Sequence, residues 1–167
     1  MKVIFLDIDG VLNSDAYFDR IKDRVMEGIE EDIDIKTIEL LNKAVKETGA
    51  KVVLDSSWRY RRKADELQEL LAQYGISIEK TPFIDNRRGE EIRQWLNEAE
   101  YVGYNVEDYI LLDDDIFDDF DKEILEHLIK MDNTNSRGFG SGLQEKDVSE
   151  IIKRFGRINS KHDEYER

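Results

Sequence analysis

The first residues with a spacing suited to chemistry are two aspartates that follow an apolar run near the start of the chain. The sequence VIFLDIDG places Asp7 and Asp9 directly after Val3–Leu6, an uninterrupted apolar run of strand length. In an extended segment, side chains two residues apart point the same way, so both carboxylates can face one site. One can then act as a buried nucleophile and metal ligand while the other acts as a general acid. Gly10 permits a tight turn directly behind them.

Two further apolar runs also end in polar side chains. The run VVLD is followed by Ser56 and Ser57, and the run YILL is followed by Asp113 and Asp114. Because parallel strands end at a common sheet edge, we expect these groups to meet the first two aspartates there. Clustered carboxylates repel one another unless a cation lies between them. Oxygen ligands without cysteine or a well-placed histidine favour Mg²⁺.

Such strand ends require an alternation of strands and helices, and the sequence has one. Apolar or β-branched runs predict five strands, at 3–6, 51–55, 76–80, 109–112 and 127–132. Apolar residues at helical spacing predict helices at 35–48, 64–75, 89–99, 119–126 and 145–155. The alternation is typical of βαβ units. We therefore expect an α/β fold, a Rossmann-like three-layer sandwich around a mostly parallel five-stranded sheet.

The length and the spacing of these elements indicate one domain with an open site. The 167 residues are enough to bury a core, and we expect a single domain at 1–156 followed by a polar tail at 157–167. A flap at about 13–33 could partly cover the site, but the remaining connections leave no room for a large cap domain. An uncapped site suits a bulky or macromolecular phosphate better than a small metabolite.

The charge and the apolar pattern exclude several classes of protein. A formal charge of −14 argues against a protein that coats nucleic acid non-specifically. Positive charge is nevertheless concentrated in WRYRRK, residues 58–63, and in the pair Arg87 and Arg88, where it could hold a phosphate. The sequence has no cysteine, and its apolar N-terminal block is too short for a signal peptide or a membrane span. We expect a cytoplasmic protein without membrane contact and infer no obligate protein partner.

The motifs resemble those of the haloacid dehalogenase-like (HAD) superfamily. VIFLDIDGVL is similar to the first motif of that superfamily, Ser56 after VVLD resembles the second, and the acidic pair in ILLDDD resembles the fourth. The third motif is a basic residue near the start of an intervening helix, for which Arg88 is the first candidate and Lys80 the rival. The segments SSWR, RGEEIRQWL, ILLDDD and GLQ also resemble the small HAD domains associated with RNA-repair proteins.

The resemblance implies a Mg²⁺-dependent phosphomonoester hydrolase that works through an aspartyl-phosphate intermediate. It implies that Asp7 attacks phosphorus, while Asp9 protonates the leaving oxygen and then activates water. Ser56 and the basic residue, Arg88 or Lys80, would bind the transferred phosphoryl group. The substrate implied by the RNA-repair resemblance is a phosphate at an RNA or DNA end, or on a nucleotide.

The same resemblance suggests the metal ligands and the residues that bind substrate. The metal would be held by Asp7, by the backbone carbonyl of Asp9 and by one aspartate of the run DDDIFDD. In that run we favour Asp114, with Asp113 and Asp118 as supporting ligands. The candidate substrate-binding residues lie beside the motifs and comprise Gly10, Ser57, Arg59, Lys80 and Arg87.

A second class of function remains open at the level of the sequence. A non-catalytic phosphate-binding or receiver-like signalling module also uses clustered acids, a serine or threonine and a lysine. Receivers place their acidic pair adjacent, whereas the first cluster here is Asp-x-Asp. Among the aromatic residues, Trp58 could stack on a base or fill the core, and Tyr17 and Phe18 are expected to pack within the flap.

Overall fold

The structure, a computed structural model, describes residues 1–133 and 138–165, with side chains described up to residue 156. The strands are β1 (Lys2–Leu6), β2 (Lys51–Leu54), β3 (Ile78–Lys80), β4 (Asp108–Asp113) and β5 (Leu128–Lys130). The α-helices are α1 (Asp15–Ile21), α2 (Ile35–Thr48), α3 (Ala64–Gln73), α4 (Arg88–Tyr101), α5 (Lys122–His127) and α6 (Glu145–Tyr165). Short 3₁₀ turns lie at Gly28–Glu31 and Ser57–Tyr60.

The five strands form one sheet in the order β3-β2-β1-β4-β5, and every neighbouring pair is parallel. β1 is central, with Leu6 in register with Leu54 of β2 and Leu112 of β4. A central parallel strand is covered on both faces, which explains why Val3–Leu6 is apolar without interruption. The predicted α/β fold with a parallel five-stranded sheet is confirmed.

Helices cover both faces of the sheet and bury two separate apolar clusters. On one face, Ile4 and Leu6 pack with apolar residues of α2, α3 and α6. On the other face, Val3 and Phe5 pack with residues of α4 and α5, and the ring of Phe5 meets Trp95 edge-on at 5.5 Å. The alternating side chains of one strand thus enter two cores, which gives the molecule its three layers.

All five strands are parallel, so their carboxyl ends lie at the same edge of the sheet. Backbone hydrogen bonds continue the ladder past the strands: Asp7 N donates to Leu112 O at 3.0 Å, and Asp55 N donates to Leu6 O at 3.1 Å. The residues that follow β1, β2 and β4 therefore start from neighbouring positions. This is the edge at which ligands bind in parallel sheets.

The segment between β1 and α2 contains the predicted flap. It forms α1 and the turn at Gly28–Glu31, which are tied together because the Tyr17 hydroxyl donates to Glu30 O at 2.6 Å. Tyr17 is buried, and the ring of Phe18 meets Phe139 at 5.5 Å. Both aromatic side chains therefore make packing contacts in the flap.

Several predicted boundaries differ from the structure. β3 and β5 have three residues each, because both are edge strands with only one neighbouring strand. The backbone of α6 continues to Tyr165, so most of the segment expected to be a polar tail is helical, while residues 166 and 167 lie outside the described part. Within the described residues, no helix is both long enough and apolar enough to cross a bilayer.

Candidate active site

Three carboxylates converge at the carboxyl edge of the sheet. Asp7 follows β1, Asp113 ends β4, and Asp114 is the next residue. Each offers one oxygen, and these oxygens all lie within 4.8 Å of one another. The sequence prediction that Asp7 and the acidic pair after β4 would meet is therefore consistent with the geometry. We call these three residues the carboxylate cluster.

Burial and mutual repulsion disfavour the ionised form of this cluster. Burial, together with the charges of Asp7 and Asp55, raises the pKa of Asp113 to about 10. Burial and the neighbouring charges of Asp55 and Asp114 raise the pKa of Asp7 to about 8, although Arg88 opposes the shift. A bound cation would remove this penalty. Three oxygen donors with no nitrogen or sulfur among them suit a hard divalent ion such as Mg²⁺.

Two glycines allow the loops around Asp114 to approach closely. Gly10 has a φ of +83°, and a Cβ atom there would lie 2.1 Å from Asp114 Oδ2. Gly140, from the segment after β5, donates its backbone N–H to the same oxygen at 2.8 Å. A Cβ on Gly140 would also lie 2.6 Å from the Asp114 Cβ. The sequence analysis assigned a turn to Gly10 but did not identify Gly140.

Asp9 lies outside the carboxylate cluster, and three side chains from other segments hold its carboxylate. The Trp58 indole N–H donates to Oδ1 at 3.2 Å, and Asn13 Nδ2 donates to the same oxygen at 3.0 Å. Arg61 forms an ion pair with Oδ2 at 3.7 Å. Asn13 is itself fixed, because its Oδ1 accepts the Gly10 N–H at 2.7 Å. The sequence analysis missed Asn13 and Arg61 as neighbours of Asp9.

Ser56 lies two residues after the end of β2 and caps the 3₁₀ turn at Ser57–Tyr60. Its side chain is buried, and its Oγ accepts the backbone N–H of Trp58 at 3.2 Å. The same turn thus carries both the serine and the tryptophan that contacts Asp9. Ser57 is half-buried, and its Oγ accepts a hydrogen bond from Arg61 Nη2 at 3.2 Å.

Arg88, the first residue of α4, supplies positive charge from the neighbouring layer. It is buried, and its guanidinium opposes the pKa increase of Asp7 and also that of Asp55, whose pKa burial raises to about 6. Its Nη1 lies 3.8 Å from Glu91 Oε2 and, within the described residues, has no hydrogen-bond partner. A buried donor without a partner is costly, so this N–H is available to an anionic ligand.

The other predicted substrate-binding residues are arranged differently. Arg59 is buried in an ion pair with Glu91 at 2.8 Å, and its Nη1 also donates to Thr81 and to Pro82 O. A guanidinium engaged in this way is not free to reach a phosphate, so we do not include Arg59 in the site. Its place in sequence directly after Ser56 and Ser57 suggested otherwise, but the 3₁₀ turn directs it towards α4.

Three more predicted residues remain at the edge of the site or outside it. Lys80 is exposed at the end of the edge strand β3. Arg87 is exposed and pairs with Glu90 at 2.8 Å. Asp118 is exposed and is not a member of the carboxylate cluster. Among the predicted metal ligands, the carboxylates of Asp7, Asp113 and Asp114 are the ones that the structure brings together within the described residues.

Comparison with known proteins gives one match. Residues 3–148 match the family described as the HAD domain in Swiss Army Knife RNA repair proteins. No match was found among curated proteins or among solved structures. The matched segment includes β1, the carboxylate cluster, Ser56 and Arg88, and the family supports a hydrolase of the phosphatase type with a metal site. The chain therefore belongs to the family of HAD domains found in Swiss Army Knife RNA repair proteins.

Proposed function

We propose that the protein is a Mg²⁺-dependent phosphomonoester hydrolase that removes a terminal phosphate from a nucleic acid or a nucleotide. The observation that carries this proposal is the carboxylate cluster, in which Asp7 has a raised pKa and feels the charge of Arg88, whose Nη1 has no hydrogen-bond partner among the described residues. A nucleophilic carboxylate beside a cation site and a guanidinium matches what phosphoryl transfer needs: charge neutralisation and in-line attack.

The metal would be held by Asp7, Asp114 and the backbone carbonyl of Asp9, with Asp113 in support. When bound, Mg²⁺ would offset the repulsion between the Asp7 carboxylate and the incoming phosphate. The hydrogen bond from Gly140 N to Asp114 Oδ2 keeps that carboxylate pointed into the site. This arrangement corresponds to the fixed ligand orientation that supporting hydrogen bonds give to metal sites.

Catalysis would proceed in two steps at the phosphorus atom. In the first step, an oxygen of Asp7 forms a bond to phosphorus while the bond to the leaving oxygen breaks, and Asp9 gives that oxygen its proton. In the second step, Asp9 takes a proton from water as the water oxygen attacks phosphorus. This step releases Asp7 and inorganic phosphate and returns the proton to Asp9.

Ser56 and Arg88 would bind the non-bridging oxygens of the phosphoryl group. Ser56 Oγ accepts one hydrogen bond from the Trp58 N–H, which leaves its own O–H free to donate. Arg88 Nη1 has no hydrogen-bond partner among the described residues, and the guanidinium interacts electrostatically with Asp7 and Asp55. We prefer Arg88 to Lys80 as the basic residue because Lys80 is exposed on the edge strand.

The nucleic-acid part of the proposal is supported by the family and by the local charge. The family is described by its occurrence in RNA repair proteins. Arg61 pairs with Asp9, Arg62 is the next residue in the chain, and Arg87 directly precedes Arg88. All three are exposed in a chain with a formal charge of −14. Such a local excess of positive charge favours a polyanionic substrate at this edge only.

The test is Mg²⁺-dependent hydrolysis of p-nitrophenyl phosphate by the wild-type protein, Asp7→Asn and Asp9→Asn. We expect Asp7→Asn to abolish turnover and Asp9→Asn to reduce it by about 100-fold or more. Asp65→Asn, an exposed aspartate on α3, is the matched control and should retain full activity. Equal activity in the wild type and Asp7→Asn would contradict the proposal.

A substrate panel then tests the nucleic-acid preference. The panel contains 3′- and 5′-phosphorylated oligonucleotides, mononucleotides and sugar phosphates, each compared by kcat/KM. We expect the oligonucleotides to be the best substrates. A receiver-like module would instead take up one phosphoryl group from a small phosphodonor without turnover, and that result would replace the hydrolase with the alternative.

A further inference from the structure

Two aromatic side chains are exposed together beside the proposed active site. Tyr60 is 54% exposed and Phe83 is 57% exposed, and their rings pack edge-to-face with centroids 5.3 Å apart. Tyr60 ends the 3₁₀ turn after β2, and Phe83 lies in the segment after β3. Large apolar rings normally leave water when they can, so a paired exposure outside either core requires a reason. We call this pair the aromatic platform.

Contacts with Asn86 and Arg59 hold the Tyr60 ring of the platform in place. The Tyr60 hydroxyl donates to Asn86 Oδ1 at 2.6 Å, which ties the 3₁₀ turn to the segment before α4. The guanidinium carbon of Arg59 lies 5.7 Å from the centroid of the Tyr60 ring, and Arg59 is fixed by its buried ion pair with Glu91. The rings are therefore preorganised, which lowers the entropic cost of binding a flat ligand.

One side chain connects the platform to the catalytic groups. Arg61 follows Tyr60 directly and reaches Asp9, with Nη1 3.7 Å from Oδ2. The turn that carries Tyr60 also begins at Ser56, so the proposed phosphate site and the platform share one short segment. A substrate whose phosphate lies between Asp7 and Arg88 would thus extend a neighbouring group over these rings.

Charge favours nucleic acid as the occupant. Arg61 and Arg62 follow Tyr60 in sequence, and Arg87 follows Asn86, to which Tyr60 is hydrogen-bonded. All three arginines are exposed, whereas the chain as a whole has a net charge of −14. Arg61 and Arg87 each pair with one carboxylate, of Asp9 and Glu90. Aromatic rings interleaved with basic side chains are the usual means of binding single strands: bases stack on the rings and the cations follow the phosphates. Two rings are too small a surface for a stable protein–protein interface, which buries about 1,200 Å² or more.

We propose that Tyr60 and Phe83 form a base-stacking platform that selects single-stranded, phosphorylated nucleic-acid ends. The proposal rests on the proposed hydrolase function, because it places the scissile phosphate at Asp7. The base of the terminal nucleotide or its neighbour stacks on the platform, and Arg62 and Arg87 bind the backbone phosphates beyond it. Compounds without a base gain nothing from these rings.

The first experiment measures binding without turnover. A fluorescein-labelled, 5′- or 3′-phosphorylated RNA 10-mer is titrated with the protein in EDTA, and anisotropy is recorded. Tyr60→Leu and Phe83→Ala are each expected to weaken binding by about 5- to 150-fold, the range that loss of a base–aromatic stack gives. Tyr60→Phe keeps the ring and should bind within about threefold of wild type. Tyr101→Ala removes an exposed tyrosine from the far end of α4 and serves as the matched control.

The second experiment measures selectivity during turnover. The ratio of kcat/KM for the phosphorylated RNA to that for p-nitrophenyl phosphate should fall about 5-fold or more in Tyr60→Leu and Phe83→Ala. Circular dichroism of each variant establishes that it is folded. If RNA binding is intact in these folded variants and the ratio is unchanged, the platform does not bind bases and the inference is overturned.

The outcomes separate this inference from the proposed function. Absence of hydrolysis in the wild type, with RNA binding that depends on Tyr60 and Phe83, would contradict the hydrolase and support the platform. Hydrolysis of p-nitrophenyl phosphate by the wild type, with RNA binding that does not change in the Tyr60 and Phe83 variants, would support the hydrolase and contradict the platform. Sedimentation that shows a wild-type dimer and a Tyr60→Leu monomer would make the rings a subunit interface and overturn the inference.

Arg62 provides an independent electrostatic check. Arg62→Glu is expected to weaken RNA binding and to reduce the slope of log Kd against log salt by about one, as loss of one phosphate contact does. Lys46→Glu makes the same charge change in the last turn of α2, at the opposite edge of the sheet, and is the control. Equal effects of the two substitutions would show that net charge alone governs binding and would remove Arg62 from the proposed surface.

Discussion

Replacing Trp58 with phenylalanine would remove one hydrogen-bond donor from Asp9 and keep an aromatic ring in the same buried position. The Trp58 indole N–H lies 3.2 Å from Asp9 Oδ1, and the side chain is buried in the core beneath the site. Asn13 remains as a second donor to the same oxygen at 3.0 Å. The substitution therefore loosens the proposed acid without removing it.

The hydrogen bond sets the size of the expected effect. A hydrogen bond to a charged group contributes about 1.5–3 kcal/mol, which corresponds to about a 10- to 100-fold change in rate if it positions Asp9 in the transition state. Because Asn13 still holds Oδ1, we expect the lower part of that range, about 10-fold in kcat. KM should change little, because Trp58 does not contact the phosphate in the proposed arrangement.

The leaving group distinguishes a positioning role from a packing role. If Asp9 protonates the leaving oxygen, poor leaving groups such as the sugar hydroxyl of a nucleotide depend on it most. The good leaving group p-nitrophenolate needs little protonation. The comparison uses kcat/KM, which reports only the steps up to transfer of the phosphoryl group to Asp7 and so excludes the water attack that both substrates share. Trp58→Phe should therefore lower kcat/KM about 10-fold for the nucleotide but only about twofold for p-nitrophenyl phosphate.

The second tryptophan of the chain is a matched control. Trp95 is also buried, but it packs against Phe5 on the opposite face of the sheet. Trp95→Phe makes the same loss of volume and should leave the ratio of the two rates unchanged. If Trp58→Phe lowers kcat/KM equally for both substrates, or if Trp95→Phe alters the ratio of the two kcat/KM values as much, Trp58 does not position Asp9 as the acid.

Three further predictions concern the carboxylate cluster and the buried ion pair of Arg59 with Glu91. In the absence of divalent ions, the raised pKa of Asp113 means that the free energy of unfolding falls as the pH rises from about 4 to 10. Asp113→Asn removes this charge and should therefore increase the melting temperature at pH 8 by about 2–8 °C. An unchanged or lower melting temperature would contradict the repulsion within the cluster. Gly10→Ala adds a Cβ 2.1 Å from Asp114 Oδ2, so the Asp114 carboxylate must move. We expect Mg²⁺ binding, measured by calorimetry, to weaken about 10- to 100-fold. An unchanged affinity would exclude Asp114 as a ligand. Glu91→Ala leaves the buried Arg59 without its carboxylate partner and should lower the free energy of unfolding, measured in urea, by about 3–5 kcal/mol. A decrease of less than about 1 kcal/mol would argue against a buried ion pair.

The sequence predicted the parts of the site that depend only on strand order. Asp7, Ser56 and the pair Asp113 and Asp114 each follow an apolar run, and parallel strands necessarily end at one edge. Their convergence needed no knowledge of how the loops fold. The same reasoning gave the sheet and its helices, because buried parallel strands and amphipathic helices have distinct apolar periods.

The sequence did not predict contacts that depend on the path of the loops. Trp58 and Asp9 are 49 residues apart, and Gly140 reaches Asp114 from a segment after β5. No local sequence pattern indicates which of these distant residues the loops bring into contact. Arg59 is one example: it follows Ser56 and Ser57 in sequence, but its side chain pairs with Glu91 on α4, a contact that adjacency in sequence did not indicate.

One signal of that ion pair was present in the sequence. Glu91 lies one position before Ile92 and four before Trp95, so it shares the buried side of α4. A carboxylate on the apolar side of a helix must be paired, since an isolated buried charge is too costly. The position of Glu91 on α4 therefore predicts a basic partner, and two arginines, Arg59 and Arg88, contact it in the structure.

The central claim is that Asp7 carries the phosphoryl group between the two steps, and the Asp9→Asn variant can test it directly. With p-nitrophenyl phosphate and Mg²⁺, the good leaving group allows the first step without protonation, whereas loss of the base slows the second step. Acid quenching followed by peptide mass spectrometry should find one phosphoryl group on the peptide that contains Asp7. An active wild-type enzyme with no phosphorylated Asp7 in Asp9→Asn, or with the group on another residue, would contradict the account.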